Sequence, residues 1–415
     1  MYPPRSALLL SFVFGACSGA NTPTPGVDVG PPVSSSSDAG HTMAADGGTA
    51  PLDAGRAPVI VYRDVTETHL PTTLGGFSMD ARFADLDRDG DLDGVIATEF
   101  QRNRLLLNDG QGHFTDASDR LPEARRDSED VVIADFDDDG DLDLFFASED
   151  DRVNELYLAE GDRFIDASDR IPVLGVSNAA ILDPGAPEPT VLIGNAGQNT
   201  AIAWRGDRFV DVTAERLPSL DDRTQDLELA DVDGDGDLDL GVGNEDASYV
   251  LLREGDRFGR PVSLPSNAET REIDFLDADG DGDLDLALAN IRFLRPEVTR
   301  SNQLLLQTQS LTFEAAPTFP SDDDNSFDIE PVDLDGDGDL DLVSANLDAL
   351  SGTPANAPYR CLLNDGGGRF EISTLLPPTA VGNGFDVEPV DVDGDGDLDL
   401  YLASRGGADR LLLRE

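Results

Sequence analysis

Apolar residues in this chain come in short runs. "VVIAD" (131–135), "DLFFAS" (143–148) and "ELYLAE" (155–160) are rich in β-branched and aromatic side chains and bounded by Asp, Gly and Asn, which is strand patterning. Between such runs, "NDGQG" (108–112) and "NDGGG" (364–368) read as hairpin turns. From residue 58 onward no stretch of ten or more residues carries a 3.6 period, so the folded part is predicted to be all-β.

The runs recur at a fixed interval. Acidic loops begin at Asp85, Asp135, Asp231, Asp277, Asp333 and Asp391, and a degenerate copy fits at Asp183 in "ILDPGAPEPTVLIGN". Differences between successive starts are 50, 48, 48, 46, 56 and 58 residues. A second marker, an aromatic with a short polar and apolar tail, keeps step at Tyr62 ("YRDVT"), Phe114, Phe164, Phe209, Phe258, Phe313 and Phe370. Both markers count seven units. Four short strands in each such period match the blade of a β-propeller, so the expected fold is a seven-bladed propeller with four-stranded antiparallel blades. The phase predicts how it closes. The folded chain starts with the aromatic strand (Ile60 to Thr66) and ends with "RLLLRE" where the next aromatic strand is due, so the N-terminal strand is expected to complete the last blade.

Each intact loop reads D-x-D-x-D-G-D-L-D. Carboxylates at positions 1, 3, 5 and 9 with a main-chain carbonyl at 7 form an oxygen cage for a hard cation, and Gly at position 6 permits the sharp turn. Calcium, about six structural ions in all, suits this better than octahedral magnesium. The expected ligand sets are Asp85, Asp87, Asp89, Asp91 and Asp93; Asp135, Asp137, Asp139, Asp141 and Asp143; and Asp231, Asp233, Asp235, Asp237 and Asp239. The later loops supply Asp277, Asp279, Asp281, Asp283 and Asp285; Asp333, Asp335, Asp337, Asp339 and Asp341; and Asp391, Asp393, Asp395, Asp397 and Asp399. An EF-hand is excluded, because position 12 holds Ile96, Phe146, Val242, Leu288, Ser344 and Leu402 instead of a bidentate Glu. Acidic turns that bind nothing are the plain alternative, and six in one register argue against it.

The run "ADFDDDGDLDLFFAS" with "NELYL" and a following Phe resembles FG-GAP (VCBS) repeats, the calcium-bearing blades of integrin alpha-subunit-like propellers. The resemblance covers residues 58 to 415. It implies seven blades, a calcium loop joining the inner two strands of each, and a role in binding outside the cell. The Asp183 unit departs from the pattern, so no metal is expected there.

Charge narrows the partners. The chain has 415 residues and a formal net charge of -55, which argues against nucleic acid and anionic membrane surfaces. Its 29 basic residues are all Arg, and three His, one Trp and two Cys leave little material for transition-metal or nucleophilic sites. The first 17 residues read as an export signal: Arg5, a short apolar run from Ala7 to Phe14, then Gly15-Ala16-Cys17. That ending resembles a bacterial lipobox with Cys17 as the lipidated residue; an ordinary cleaved signal is the alternative. Residues 18–57, rich in Ser, Pro, Gly, Thr and Ala, read as a flexible tether. Cys361 sits where a sister segment has Leu105 and reads as a buried, inert thiol.

If the aspartate loops and "NDGxG" turns share one end of the propeller, the other connections share the opposite end. There the units differ, with long segments at 291–303, 320–327, 347–360 and 377–385. This predicts a uniform scaffold end and a recognition end. Arg292, Arg295 and Arg300 on one such loop could grip an acidic polysaccharide, the plainer alternative being a solvated loop. Five residues before each aspartate loop stands Asp80, Asp130, Asp226, Glu272, Asp328 or Asp386, with Asn178 in the degenerate unit; these should rim the central channel, where they could bind a cationic ligand or further metal, the plainer alternative being carboxylates solvated or bonded to backbone. The favoured function is a non-catalytic, calcium-stabilised surface module recognising an extracellular protein or glycan. A polysaccharide lyase on the same scaffold is the alternative. It would need a general base and a cation for the substrate carboxylate, and the chain offers no Lys and only His69 and His113 in its folded part.

Overall fold

The computed structural model describes residues 60–72, 76–149, 153–172, 175–293, 298–320, 325–347 and 357–415, all within one compact unit. The export signal, Cys17, the 18–57 tether and Arg295 lie outside the described residues.

Each repeat folds as a sequential antiparallel meander. In the Asp85 unit the strands are Ser78–Ala84, Asp93–Gln101, Arg104–Asn108 and Phe114–Asp116, each paired with the next. The same order recurs around Asp135, Asp183, Asp231, Asp277 and Asp333. In the Asp391 unit, Gly384–Val390, Asp399–Ser404 and Arg410–Arg414 lack an outer strand of their own, and Tyr62–Asp64 supplies it. The innermost strands pack side by side in chain order, and Gly384–Val390 returns onto Ser78–Ala84. The result is a closed β-propeller.

Its core lies between blades rather than inside any one of them. Val95, Ala97 and Leu105 of the Asp85 unit, for instance, cluster with Val131, Leu144 and Phe146 of the Asp135 unit. Likewise Ala81 and Ile96 pack on Tyr401 and Leu411 across the closure. A lone blade could not bury its faces, which is why the repeat must be iterated. Cys361 is buried in this core, and burial pushes its thiol up to about 12.

The opening strand is shorter than the pattern suggested. Instead of Ile60 to Thr66, it spans Tyr62–Asp64 and gives way to a single helical turn, Thr66–His69. The cause is local side-chain chemistry. Asp64 Oδ1 accepts the Thr66 N–H at 3.1 Å, and the same Asp-to-Ser/Thr bond forms at Asp116 and Ser118 (3.0 Å), Asp166 and Ser168 (3.0 Å), and Asp211 and Thr213 (2.9 Å). Each hydroxyl then accepts an N–H from the third strand of its blade, at Leu411, Leu105, Leu156 and Ala201. The polar tail of the aromatic marker is thus a clasp that ends the outer strand and fastens it inward.

Six innermost strands also carry a register shift just before their acid, as between Ser78 and Asp80, Thr224 and Asp226, and Gly384 and Asp386, while in the degenerate unit the shift falls on Asn178 itself. The bulge re-aims the carboxylate sideways, toward the next blade. Asp80 accepts the Val131 N–H at 2.8 Å, Asp130 that of Ala180 at 2.7 Å, Asp226 that of Ile273 at 2.9 Å and Asp386 that of Ala81 at 3.1 Å. Asp328 does the same to Val387, and Asn178 of the degenerate unit donates to Thr224 O at 2.9 Å. These acids are buried and bonded to backbone: they staple neighbouring blades around the axis.

Candidate metal loops and their surroundings

The six aspartate loops share one hydrogen-bond frame. Position 1 accepts the N–H of the position-6 glycine, from Asp85 and Gly90 (3.2 Å) through Asp391 and Gly396 (3.0 Å). Position 5 accepts the N–H of position 7, as Asp235 does from Asp237 at 3.0 Å. Position 9 is buried and spans the hairpin, one oxygen accepting the position-2 N–H and the other an N–H of the third strand; for Asp93 these are Leu86 (3.1 Å) and Asn108 (2.9 Å). All six position-6 glycines have φ between 92° and 99°, a region costly for a side chain.

This frame brings carboxylates together. Oxygens of positions 1, 3 and 9 lie within 4.8 Å of one another in the sets Asp85, Asp87, Asp93; Asp135, Asp137, Asp143; and Asp231, Asp233, Asp239. Asp85 Oδ1, Asp137 Oδ1 and Asp231 Oδ1 are buried without a hydrogen-bond partner among the described residues, so the cage has lone pairs to spare for a cation. Position-7 side chains turn elsewhere. Asp91 lies against the Gly110 turn, Asp339 against Gly366, and Asp141 pairs with Arg88 of the preceding loop. Burial pushes Asp93, Asp143, Asp285 and Asp341 up to about 6 and Asp399 to about 7, against the pull of their two backbone N–H donors. A bound cation would reverse that direction.

The loops are also tied across blades, by residues that sequence reasoning overlooked. Asn108, Gln307 and Asn364 begin the hairpin turns and donate their side-chain N–H groups twice: to the position-8 carbonyl of their own loop and to the position-2 carbonyl of the preceding one. Asn108 reaches Leu92 O (3.1 Å) and Val392 O (2.7 Å); Asn364 reaches Leu340 O (3.1 Å) and Ala278 O (2.8 Å). Arg253 takes this position in the Asp231 unit. It donates to Leu238 O at 2.7 Å and meets the buried Asp183 at 2.6 Å. Where the metal motif has decayed, a guanidinium therefore neutralises the one aspartate that remains.

Strand direction puts the aspartate loops and hairpin turns at one end and the remaining connections at the other. At that other end Arg292 is exposed and Arg300 half-buried. A ribbon of Ala357–Pro358 and Val381–Gly382 joins two connections there, and Phe100 is 47% exposed on a backbone with φ 57°. The strain at Phe100 has no signature in the sequence. His69 and His113 come together in neither mouth; they stack on each other, ring centroids 4.0 Å apart, with Gly112 of the Asp85-unit hairpin turn alongside. No helix among the described residues is long and apolar enough to cross a membrane.

Three stretches, residues 85–146, 231–288 and 346–402, match the FG-GAP-like repeat. FG-GAP-like repeats therefore lie in these three regions of the chain. No curated protein matches it by sequence. Among solved structures, the ring is similar to the extracellular domain of a protein assigned as a hybrid two-component system from B. thetaiotaomicron. The TM-score is 0.52 at 10% identity, over 85% of this chain and 39% of that one. It is also similar to BBS1N, solved in complex with ARL6DN, with a TM-score of 0.51 at 12% identity, over 85% of this chain and 96% of the other. At such identities the likeness is one of fold. This chain spans about two fifths of the first of these relatives.

Proposed function

We propose that this FG-GAP chain is a seven-bladed, calcium-stabilised binding module, exported and tethered through Cys17, that recognises an extracellular protein or glycan with the end opposite its aspartate loops. The observation that carries the reading is the contrast between the two ends. At one, six loops repeat the same frame to within a few tenths of an ångström. At the other, the connections differ in length and sequence, and Phe100 at the end of the strand Asp93–Gln101 is exposed on strained backbone. Variation on a rigid scaffold is how recognition surfaces are built, and backbone strain is retained where surroundings or function demand it.

A glycan and extracellular-protein array, run in calcium and in chelator, tests this. The expected result is a calcium-dependent signal that Phe100→Ala and Arg292→Ala reduce at least tenfold, while Asp365→Ala at the loop end leaves it unchanged. Binding insensitive to both opposite-end substitutions would move recognition elsewhere.

A further inference from the structure

A second concentration of carboxylates lies on the axis, apart from the aspartate loops. Glu272 and Asp274 stand on the inner strand Glu269–Leu276, and Asp328 and Glu330 on its neighbour Asn325–Val332. In each pair the two positions alternate along the strand and so face the same way. Oxygens of Glu272, Asp328 and Glu330 lie within 4.8 Å of one another, all three side chains being buried. Asp226, Glu228, Asp386 and Glu388 continue the ring on the flanking strands. Arg82 reaches one side of it, 2.7 Å from Glu388 and 3.8 Å from Asp80.

Repulsion alone does not make a site, but three oxygens of this cluster also lack donors. Asp274 Oδ2, Asp328 Oδ1 and Glu330 Oε1 have no hydrogen-bond partner among the described residues, while the residues are 4%, 0% and 4% exposed. Buried carboxylate oxygens are normally paired, and protonation would satisfy them only if each new O–H found an acceptor in line. We propose that this axial cluster binds one calcium ion, held by Glu272, Asp328 and Glu330 with Asp274 beside them. All donors are hard oxygens, and a site assembled from the side chains of two separate strands suits calcium's flexible shell of about six to eight oxygens better than magnesium's strict octahedron. The near absence of exposure favours a bare ion over an organic cation. Each loop ion would draw its ligands from a single turn; the axial ion draws them from two neighbouring blades, and so ties their inner strands together at the axis.

The test counts metal in the full chain. After calcium loading and desalting, elemental analysis should give one equivalent fewer for the double variant Asp274→Asn/Glu330→Gln than for the parent, and isothermal titration should lose one class of sites. A loop variant, Asp231→Asn/Asp239→Asn, should lose a different equivalent and keep the axial one. If the loops bind nothing, the parent retains one equivalent and the axial variant none, so the two readings fail separately. Equal calcium content in parent and axial variant overturns the proposal. Should the variant not fold, parent crystals soaked in manganese decide: an anomalous peak among the Glu272, Asp328 and Glu330 carboxylates supports the axial site, and its absence there, with peaks in the loops, rejects it.

Discussion

At the scale of single residues, the loops show where side chains are tolerated and where they are not. Position 4 takes a left-handed conformation in every loop. Four loops place Gly there (Gly234, Gly280, Gly336 and Gly394, φ 72° to 76°), but the first two place Arg88 (φ 65°) and Asp138 (φ 61°). Arg88 is compensated by its contacts with Gly140 O and Asp141. For Asp138 the structure records no such bond, so Asp138→Gly should stabilise the protein by about 0.5–1 kcal/mol, and Gly234→Ala should destabilise it by about 1 kcal/mol. Thermal melts in saturating calcium would check both signs; a loss of stability in Asp138→Gly would show the aspartate to be needed. The repeated aspartates and position-6 glycines were readable from spacing. The special backbone at position 4 was half-hidden, because two of six copies break the glycine pattern that announces it.

At the scale of the element, the problem is charge. Carboxylates about 4 Å apart repel by roughly 4 kcal/mol at an effective dielectric of 20, so a loop without a cation pushes its own hairpin apart. If the loops bind calcium with affinities typical of extracellular modules, calcium at ten times its dissociation constant contributes about 1.4 kcal/mol per loop, or about 8 kcal/mol for six independent loops. Chelation should then lower the melting temperature by about ten degrees or more. The pH dependence should also change sign. In chelator, burial holds the position-9 carboxyls near 6 to 7, above the ordinary aspartate value. A group whose folded value is raised loses stability as pH rises from about 4 through about 7, so the chelated protein should melt higher at pH 5 than at pH 7.5. With calcium the ligands must be deprotonated and the order should invert. Equal melts in calcium and chelator would remove the loops' role. The hairpin itself was legible as a motif. The amides of Asn108, Gln307 and Asn364 were not, because one partner of each is a carbonyl of another blade, 75 residues away for Gln307, 86 for Asn364 and across the closure for Asn108, and no local pattern marks such a contact.

At the scale of the whole molecule, the ring is only as sound as its closure. Repeat phase alone pointed to the surplus first strand, and the pairing of Tyr62 with Arg414 and of Asp64 with Leu412 agrees. Tyr62 is buried against the last two blades and donates its hydroxyl to Leu398 O at 3.2 Å, while Val65 and Leu70 carry the core on to the first blade. Removing residues 58–68 would expose the edge at Arg410–Arg414 and open two inter-blade cores at once. Because blades bury their apolar faces only against neighbours, that loss should propagate instead of staying local. The deletion should therefore lower the melting temperature far more than Tyr62→Ala, for which about 3–5 kcal/mol is expected. The truncated ring should also associate through its unpaired edge, seen as concentration-dependent oligomers by light scattering. A monomeric deletion variant that melts with the parent would mean that the inner-strand staples from Asp386 to Ala81 hold the ring without the outer strand. Restoring the segment in trans, as a peptide of residues 58–72, separates the two effects: recovery of the parent melt assigns the loss to the strand itself.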